Sequence, residues 1–184
     1  MGDMFQTVLV FGLPGVGKTT LISNVLDCAH DCVRLSGGSL IQGELSEEDR
    51  DDLRKLSKGE VLSNQELLVF NFKKKKEKLA YKHILFDGHC VIKNGDQLVE
   101  ISVEVMRRLE PDMIIFLDED SETIVERRKN DNNRPDREQE TLADINKNRG
   151  LQLSICKKYV EELNIPLKII VSSSVEEFIF AAKI

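Results

Sequence analysis

The stretch VLVFGLPGVGKTTLI, residues 8–22, joins a short apolar run to a glycine-rich turn and then to a second apolar segment. The turn, residues 12–19, matches the pattern G-x-x-x-x-G-K-[ST] at every fixed position. Its glycines let the backbone wrap closely around an anion, and the helix that follows has a partial positive charge at its N-terminus. The stretch therefore predicts a phosphate-binding loop between a strand and a helix.

Two side chains of the loop have chemistry of their own. Lys18 is a compact cation that can reach the β- and γ-phosphates of a nucleotide, and the Thr19 hydroxyl is placed to bind Mg²⁺. We therefore predict binding of a nucleoside triphosphate with Mg²⁺. The residues that we expect to hold it are Gly12, Gly15, Val16, Gly17, Lys18, Thr19 and Thr20.

The composition is that of an ordinary globular chain. It has 184 residues, 41% of them hydrophobic and 32% charged, which suits one domain with a buried core. A net charge of −6 argues against a broad nucleic-acid surface, and no apolar run reaches the length of a membrane span. The four cysteines form no metal-ligand pattern, which favours reduced thiols. We expect a cytoplasmic protein that binds small molecules, and for which a monomer is sufficient.

Strand-like and helix-like segments alternate along the chain. Short runs rich in Val, Ile, Leu and Phe predict strands buried on both faces of a parallel sheet. These strands are 7–12, 32–36, 83–87, 112–117 and 167–172. The predicted helices are 17–29, 46–57, 64–81, 97–109, 121–130, 138–163 and 175–182. Such alternation indicates a three-layer α/β fold of the P-loop NTPase type, with a central five-stranded parallel sheet and helices on both faces.

The carboxyl ends of the predicted strands hold further candidate residues, because ligands collect at that edge of a parallel sheet. The third strand ends in Asp87-Gly88-His89. Here the Asp87 carboxylate can hold Mg²⁺ through water or contact an acceptor, and His89 is a candidate pocket residue. The fourth strand ends in Asp118-Glu119-Asp120, which we interpret as capping and first-turn charges of the next helix.

Two charged segments have different interpretations. Residues 127–140, RRKNDNNRPDREQE, place five basic residues among Asn and Asp and predict a polar loop that closes on a polyanion. The lysine run at 73–78 ends a predicted helix, where positive charge suits the helix dipole. We interpret this run as a solvated face.

With these motifs in place, the chain resembles the nucleoside monophosphate kinases, most closely the archaeal-type adenylate kinases. The resemblance covers nearly the whole length. It rests on the phosphate loop, GGSL at 37–40, DDLRKL at 51–56, DGH at 87–89, EPD at 110–112, ERRKNDNNRPDR at 126–137 and INKNR at 145–149. It implies a single P-loop kinase domain over 1–184, with a monophosphate-binding segment at 33–72 and a lid at 127–140.

The resemblance also implies roles for particular residues. Arg54 binds the acceptor's phosphate, with Gly38 and Ser39 near its nucleoside. The residues that the resemblance places around the triphosphate, the transferred group and the adenine of ATP are Arg127, Arg134, Arg137, Arg149 and Ser173. For the acceptor's base, Asp96 and Gln97 are the candidates. The glycine–phenylalanine–proline–arginine turn of bacterial adenylate kinases is replaced by Gly88-His89-Cys90, and Arg34 interrupts the second predicted strand.

Three functions are compatible with these residues. The first is transfer of the γ-phosphoryl group of Mg·ATP to a nucleoside monophosphate, with AMP the first choice. A second keeps the transfer but changes the acceptor to another small metabolite or a nucleic-acid end. A third is a nucleotide-binding regulator or slow ATPase that uses lid closure as a switch. The response of turnover to added monophosphates separates the first from the other two.

Overall fold

The computed structural model describes residues 6–42, 58–94, 97–130, 140–171 and 174–184. The predicted helix at 46–57 lies outside these ranges. Within them, no helix combines the length and the apolar character needed to cross a membrane. The elements, in chain order, are β1 (Gln6–Gly12), α1 (Lys18–Cys28), β2 (Cys32–Ser36), α2 (Gly37–Gln42), α3 (Lys58–Lys76), β3 (His83–Asp87), β4 (Val91–Asn94), β5 (Gln97–Glu100), α4 (Val103–Arg108), β6 (Met113–Asp118), α5 (Ser121–Lys129), α6 (Leu142–Leu163), β7 (Leu167–Val171) and α7 (Val175–Ala182).

Five parallel strands form the central sheet in the order β2-β3-β1-β6-β7, which confirms the predicted fold class. β1 lies at the centre, where Val8 pairs with Leu85 of β3 on one side and with Met113 of β6 on the other. The chain passes from β1 to the edge strand β2, returns to β3, and then crosses β1 to reach β6 and β7. Because these connections run in both directions along the sheet, right-handed crossovers place helices on both faces. The carboxyl ends of β1 and β3 lie side by side at the reversal of strand order, where this class of sheet binds ligands.

The predicted helix at 97–109 is wrong in its first part. Residues 97–100 are β5, which pairs antiparallel with β4 in a separate two-stranded sheet, and helix α4 begins only at Val103. The sequence VIKNGDQLVE contains an Asn-Gly pair between two apolar runs, a hairpin signal that the helical interpretation overlooked. Ser102 caps α4, since its side chain accepts a hydrogen bond from the Val105 N–H.

Two other helices differ from their predicted limits. α3 begins at Lys58 and ends at Lys76, although we predicted 64–81, and the short α2 was not predicted as a helix. α6 begins at Leu142, because Thr141 and Asp144 form a reciprocal capping box at its N-terminus. Hydrogen bonds from Thr141 lower the pKa of Asp144.

Tyr159 of α6 connects the β4–β5 hairpin to the core. Its ring is fully buried and packs edge-on against Phe11 of β1, with 6.4 Å between the ring centroids. Its hydroxyl donates a hydrogen bond to the backbone carbonyl of Ile101, just beyond β5. Burial raises the pKa of this hydroxyl well above its usual value, so it stays a donor throughout the ordinary pH range.

We predict that Tyr159→Phe lowers the free energy of unfolding by about 1–3 kcal/mol, because the buried Ile101 carbonyl loses its partner. Urea denaturation followed by circular dichroism measures this change. Tyr81→Phe is the matched control, since Tyr81 is the second tyrosine and is 40% exposed. Its unfolding free energy should stay within about 0.5 kcal/mol of the wild type. Equal losses in both variants would contradict the role of the Ile101 hydrogen bond.

Candidate active site

The phosphate loop adopts a backbone that its glycines permit. Gly12, Gly15 and Gly17 have φ angles of 151°, 91° and 101°, which L side chains rarely adopt. A Cβ atom on Gly12 would also lie 2.7 Å from the Leu117 carbonyl oxygen of β6. Gly17 is the N-cap of α1 and supplies no side-chain cap. The first N–H groups of α1 therefore face the loop without a side-chain cap, the arrangement that favours an anion.

The structure brings Lys18 and Asp87 together. The Lys18 side chain is 7% exposed, and its Nζ donates a hydrogen bond to the Gly12 carbonyl at 3.3 Å. The same Nζ lies 3.9 Å from Oδ1 of Asp87 at the end of β3. A lysine from the loop and a carboxylate from the neighbouring strand end thus meet at the predicted ligand edge.

Arg34 of β2 is a site residue that the sequence analysis missed. We treated it as a defect in a buried strand, yet β2 forms and pairs with β3 throughout its length. Both Nε and Nη2 of Arg34 donate to Oδ2 of Asp87, at 3.1 and 2.5 Å. Its side chain is 32% exposed and lines the same cavity as Lys18. The sequence contained one signal for this role. Arg34 is a charged residue within an apolar strand, and that strand runs beside Asp87-Gly88-His89.

Arg127 and Arg128 contact the phosphate loop from helix α5, and this corrects the prediction that residues 127–140 form one loop from the first residue. Nη1 of Arg127 donates to the Val16 carbonyl at 2.7 Å, and Nη2 donates to Glu119 at 3.1 Å. Nε of Arg128 donates to the Pro14 carbonyl at 2.8 Å, and its Nη1 pairs with Glu140. Arg128 was not predicted as a site residue. The two arginines share one helix end and therefore position the loop together.

Arg149 of α6 pairs with Asp118 at the end of β6. Its Nε and Nη2 each donate to a different oxygen of the Asp118 carboxylate, and these hydrogen bonds hold the pKa of the guanidinium above its usual value. The interpretation of Asp118-Glu119-Asp120 as caps holds for Asp120 alone. Asp120 caps α5, and hydrogen bonds from Thr123 lower its pKa. Asp118 and Glu119 instead hold Arg149 and Arg127.

One cavity of about 890 Å³ joins the phosphate loop with Lys18, Arg34, Asp87 and Arg127, whereas Arg128 and Arg149 do not line it. The phosphate loop, Lys18, Thr19, Thr20 and Arg127 line one part of it. α2, α3, the end of β3 and the β4–β5 hairpin line the rest, with Gly38, Asp87 and His89 among the lining residues. Ser39 is exposed and does not line it, and its backbone N–H contacts Ser36.

Several predicted residues do not line the cavity or lie outside the described ranges. Gln97, a candidate reader of the acceptor's base, is exposed on β5 and does not line the cavity. Gly12 and Val16 contribute backbone to the loop, although neither lines the cavity itself. The predicted residues outside the described ranges are Arg54, Asp96, Arg134, Arg137 and Ser173.

The residues that could hold a metal ion form a sparse set. The Thr19 hydroxyl and the Asp87 carboxylate both line the cavity. In the ranges that the structure describes, no group of three or more His, Cys, Asp or Glu side chains is arranged to hold a metal. One hydroxyl and one carboxylate beside a phosphate loop fit Mg²⁺, which keeps several waters and takes its other oxygens from phosphates.

The sheet order, the glycine loop and the basic side chains around one cavity define a P-loop phosphotransferase. A protein-family model described as an AAA domain matches residues 11–146. The chain is 31% identical over 170 residues to the adenylate kinase of Pyrococcus furiosus, covering 89% of this chain and 84% of that protein. It is 29% identical over 170 residues to the adenylate kinase of Methanothermobacter thermautotrophicus, covering 90% and 89%.

A solved structure shows the same fold. The shikimate kinase of Bacteroides thetaiotaomicron superposes with a TM-score of 0.56 at 15% identity, covering 97% of this chain and 99% of that one. The chain therefore belongs to the family that the AAA-domain model describes and, with the archaeal adenylate kinases, to the nucleoside monophosphate kinases of the P-loop class. It is a nucleotide-binding kinase that transfers a phosphoryl group.

We predict that Gly15→Ala weakens ATP binding at least about tenfold, a loss of about 1.4 kcal/mol or more. The alanine would be strained at a φ of 91°, and its Cβ would lie 2.9 Å from Cγ of Arg128. Isothermal titration with ATP measures the effect. Gly150→Ala on α6 is the matched control, because no atom lies within 4 Å of its added Cβ. ATP affinity that is unchanged in Gly15→Ala would contradict the role of this backbone conformation.

Proposed function

We propose that the protein transfers the γ-phosphoryl group of Mg·ATP to a nucleoside monophosphate, with AMP as the acceptor. The observation that carries this proposal is the position of Asp87, whose carboxylate lies between Lys18 of the phosphate loop and Arg34 of β2. Two cations at the meeting point of the loop and the rest of the cavity suit the approach of two phosphate groups. The archaeal adenylate kinases among the relatives support an adenine nucleotide both as the phosphoryl donor and as the acceptor.

The reaction brings several negative oxygens together. An oxygen of the acceptor's phosphate attacks the γ-phosphorus of ATP, and the bond from that phosphorus to the β-phosphate oxygen breaks, giving ADP and a nucleoside diphosphate. The protein contributes position and positive charge more than covalent chemistry. The loop backbone and Lys18 bind the triphosphate, and Arg34 faces the acceptor's phosphate. Thr19 and Asp87 would hold Mg²⁺, which neutralises charge on the phosphate oxygens.

The arginines of the site must exchange partners in this scheme. Arg127 and Arg149 pair with Glu119 and Asp118 in the structure, and the resemblance assigns both arginines to the triphosphate. A phosphate oxygen that replaces a carboxylate gives an equally strong, charge-assisted hydrogen bond. Both arginine side chains are more than a third exposed, so each is open to solvent and to a ligand before the exchange.

The rest of the assignment remains a prediction from the sequence. It includes Arg54 on the acceptor's phosphate, Arg134 and Arg137 in the lid, and Ser173 beside the adenine of ATP. It also includes small-molecule nucleotides as the partners, a monomer as sufficient for the chemistry, and a cytoplasmic location.

A direct assay tests the proposal. Purified protein is incubated with Mg·ATP and each common nucleoside monophosphate separately, and the nucleotides are resolved by ion-exchange chromatography. We expect a diphosphate from AMP above all, and its loss in Lys18→Ala and in Arg54→Ala. ADP formed at one slow rate with every monophosphate, and also with none, would overturn the acceptor assignment. That result would instead favour a nucleotide-dependent switch.

We predict that Asp87→Asn raises the Mg²⁺ concentration for half-maximal turnover by about 10- to 100-fold, the usual effect of losing a residue that positions a bound metal. Magnesium titrations at fixed ATP measure this. Asp27→Asn is the control, since Asp27 is exposed on α1 away from the cavity lining. A lower kcat with an unchanged Mg²⁺ requirement would assign Asp87 to ordering Lys18 and Arg34 rather than to the metal.

A further inference from the structure

Gln65 is a polar residue in an apolar position of α3. The buried face of this helix includes Gln65, Leu68, Val69 and Phe72, spaced as one stripe of an α-helix. Leu68, Val69 and Phe72 pack in the hydrophobic core, where Phe72 meets Phe86 edge-on. Gln65 stands one turn before Leu68, where the stripe meets the cavity, and both residues line that cavity.

The carboxamide of Gln65 has no partner in the described part of the protein. The residue is 5% exposed, and it forms no hydrogen bond with any residue that the structure describes. The other buried amide on α3, that of Asn71, donates to the Leu40 carbonyl of α2 at 2.8 Å. Among the described residues, Thr7 Oγ1 is the side-chain polar atom that is both fully shielded from solvent and unpaired, so the Gln65 carboxamide is reachable from the cavity. An amide that lines a cavity and has no protein partner there is available to hydrogen-bond a ligand.

The surroundings of Gln65 are mostly amides and apolar side chains. On the side of the cavity formed by α2, α3 and the hairpin, Gln42, Asn64 and Asn94 add further amides, and Lys93 of the hairpin adds one cation. Leu68 and Phe86 add apolar surface there. Among the described lining residues the one carboxylate is Asp87, which lies beside Lys18 and Arg34. The charged part of the cavity suits phosphates, and this part suits a nucleobase.

We propose that Gln65 is a specificity-determining residue that hydrogen-bonds the base of the acceptor nucleotide. This inference rests on the proposed monophosphate kinase activity and names the group that reads its acceptor. A carboxamide presents one donor and one acceptor side by side. Adenine offers the complementary pair, because its N6 amino group donates and its N1 accepts. The side-chain amide can rotate by about 180° and so exchange the positions of its donor and acceptor. Substitutions therefore establish which edge of the base it recognises.

Two substitutions test whether Gln65 recognises the base of the acceptor nucleotide. Gln65→Leu keeps the volume and completes the apolar stripe, so the protein should fold and its melting temperature should not fall. We expect its KM for AMP to rise about 10- to 100-fold, the usual value of a bidentate contact to a base, with the KM for ATP unchanged. Gln65→Glu offers two acceptors and no donor, which suits the adjacent N1–H and N2–H of guanine. It should raise the ratio of kcat/KM for GMP to that for AMP by about tenfold or more.

The control is Glu66→Gln on the outer face of the same helix. Glu66 pairs with Arg108 and does not line the cavity, so its AMP and GMP kinetics should match the wild type. Equilibrium titration of AMP in the absence of ATP supplements the kinetics, because it needs no turnover.

The outcomes separate the two proposals. A wild type that phosphorylates or binds monophosphates, with Gln65→Leu and Gln65→Glu unchanged in acceptor KM and base preference, overturns the role of Gln65 alone. Equal rises in the KM for ATP and for AMP, or a lower melting temperature in Gln65→Leu, would assign Gln65 a structural role and also overturn the inference. A wild type that neither binds nor phosphorylates any monophosphate overturns both proposals together.

Discussion

The carboxylate of Asp87 lies between two cations that come from different strands of the sheet, and the rest of the site is arranged around it. Lys18 follows the glycine loop after β1, and Arg34 lies within β2. β3, which ends at Asp87, separates those two strands. Because parallel strands end at one edge of the sheet, three short strands place a lysine, a carboxylate and an arginine together. The fold thus supplies the charge cluster without any long-range loop.

The same pairing of arginine with carboxylate recurs at the cavity, where Arg127 lines it, and on the elements beside it. Arg127 pairs with Glu119, Arg128 with Glu140 and Arg149 with Asp118. A protein with a net charge of −6 can therefore gather arginines in one place without a large local excess of positive charge. Charge-assisted hydrogen bonds also fix each guanidinium plane. In the proposed reaction, partner exchange would favour a ligand that brings several negative oxygens at once, as a triphosphate does.

Local patterns made the fold and the phosphate loop predictable, whereas contacts distant in sequence were not. The glycines and Lys18 lie close together in the sequence, and each apolar strand can be recognised from its own residues alone. Arg34 meets a carboxylate 53 residues away, so its sequence position alone suggested a flawed strand. The β4–β5 hairpin was missed because the residues of β5 were assigned to the helix that follows them. The buried position of Gln65 depends on how α3 packs, which no short pattern records.

In the proposed reaction, the part of the cavity around Asp87 would hold phosphates, and the part formed by α2, α3 and the hairpin would hold the acceptor's base. Cations and backbone N–H groups suit phosphates of any nucleotide, so the charged part gives affinity with little selectivity. Neutral amides bind phosphate weakly, but their paired donor and acceptor distinguish the edges of bases. An amide without a protein partner is left unsatisfied when the wrong base displaces water from it, which costs free energy. Under the proposal, selectivity for the acceptor would therefore depend on α3 and the hairpin, whose sequences can differ without disturbing the phosphate loop.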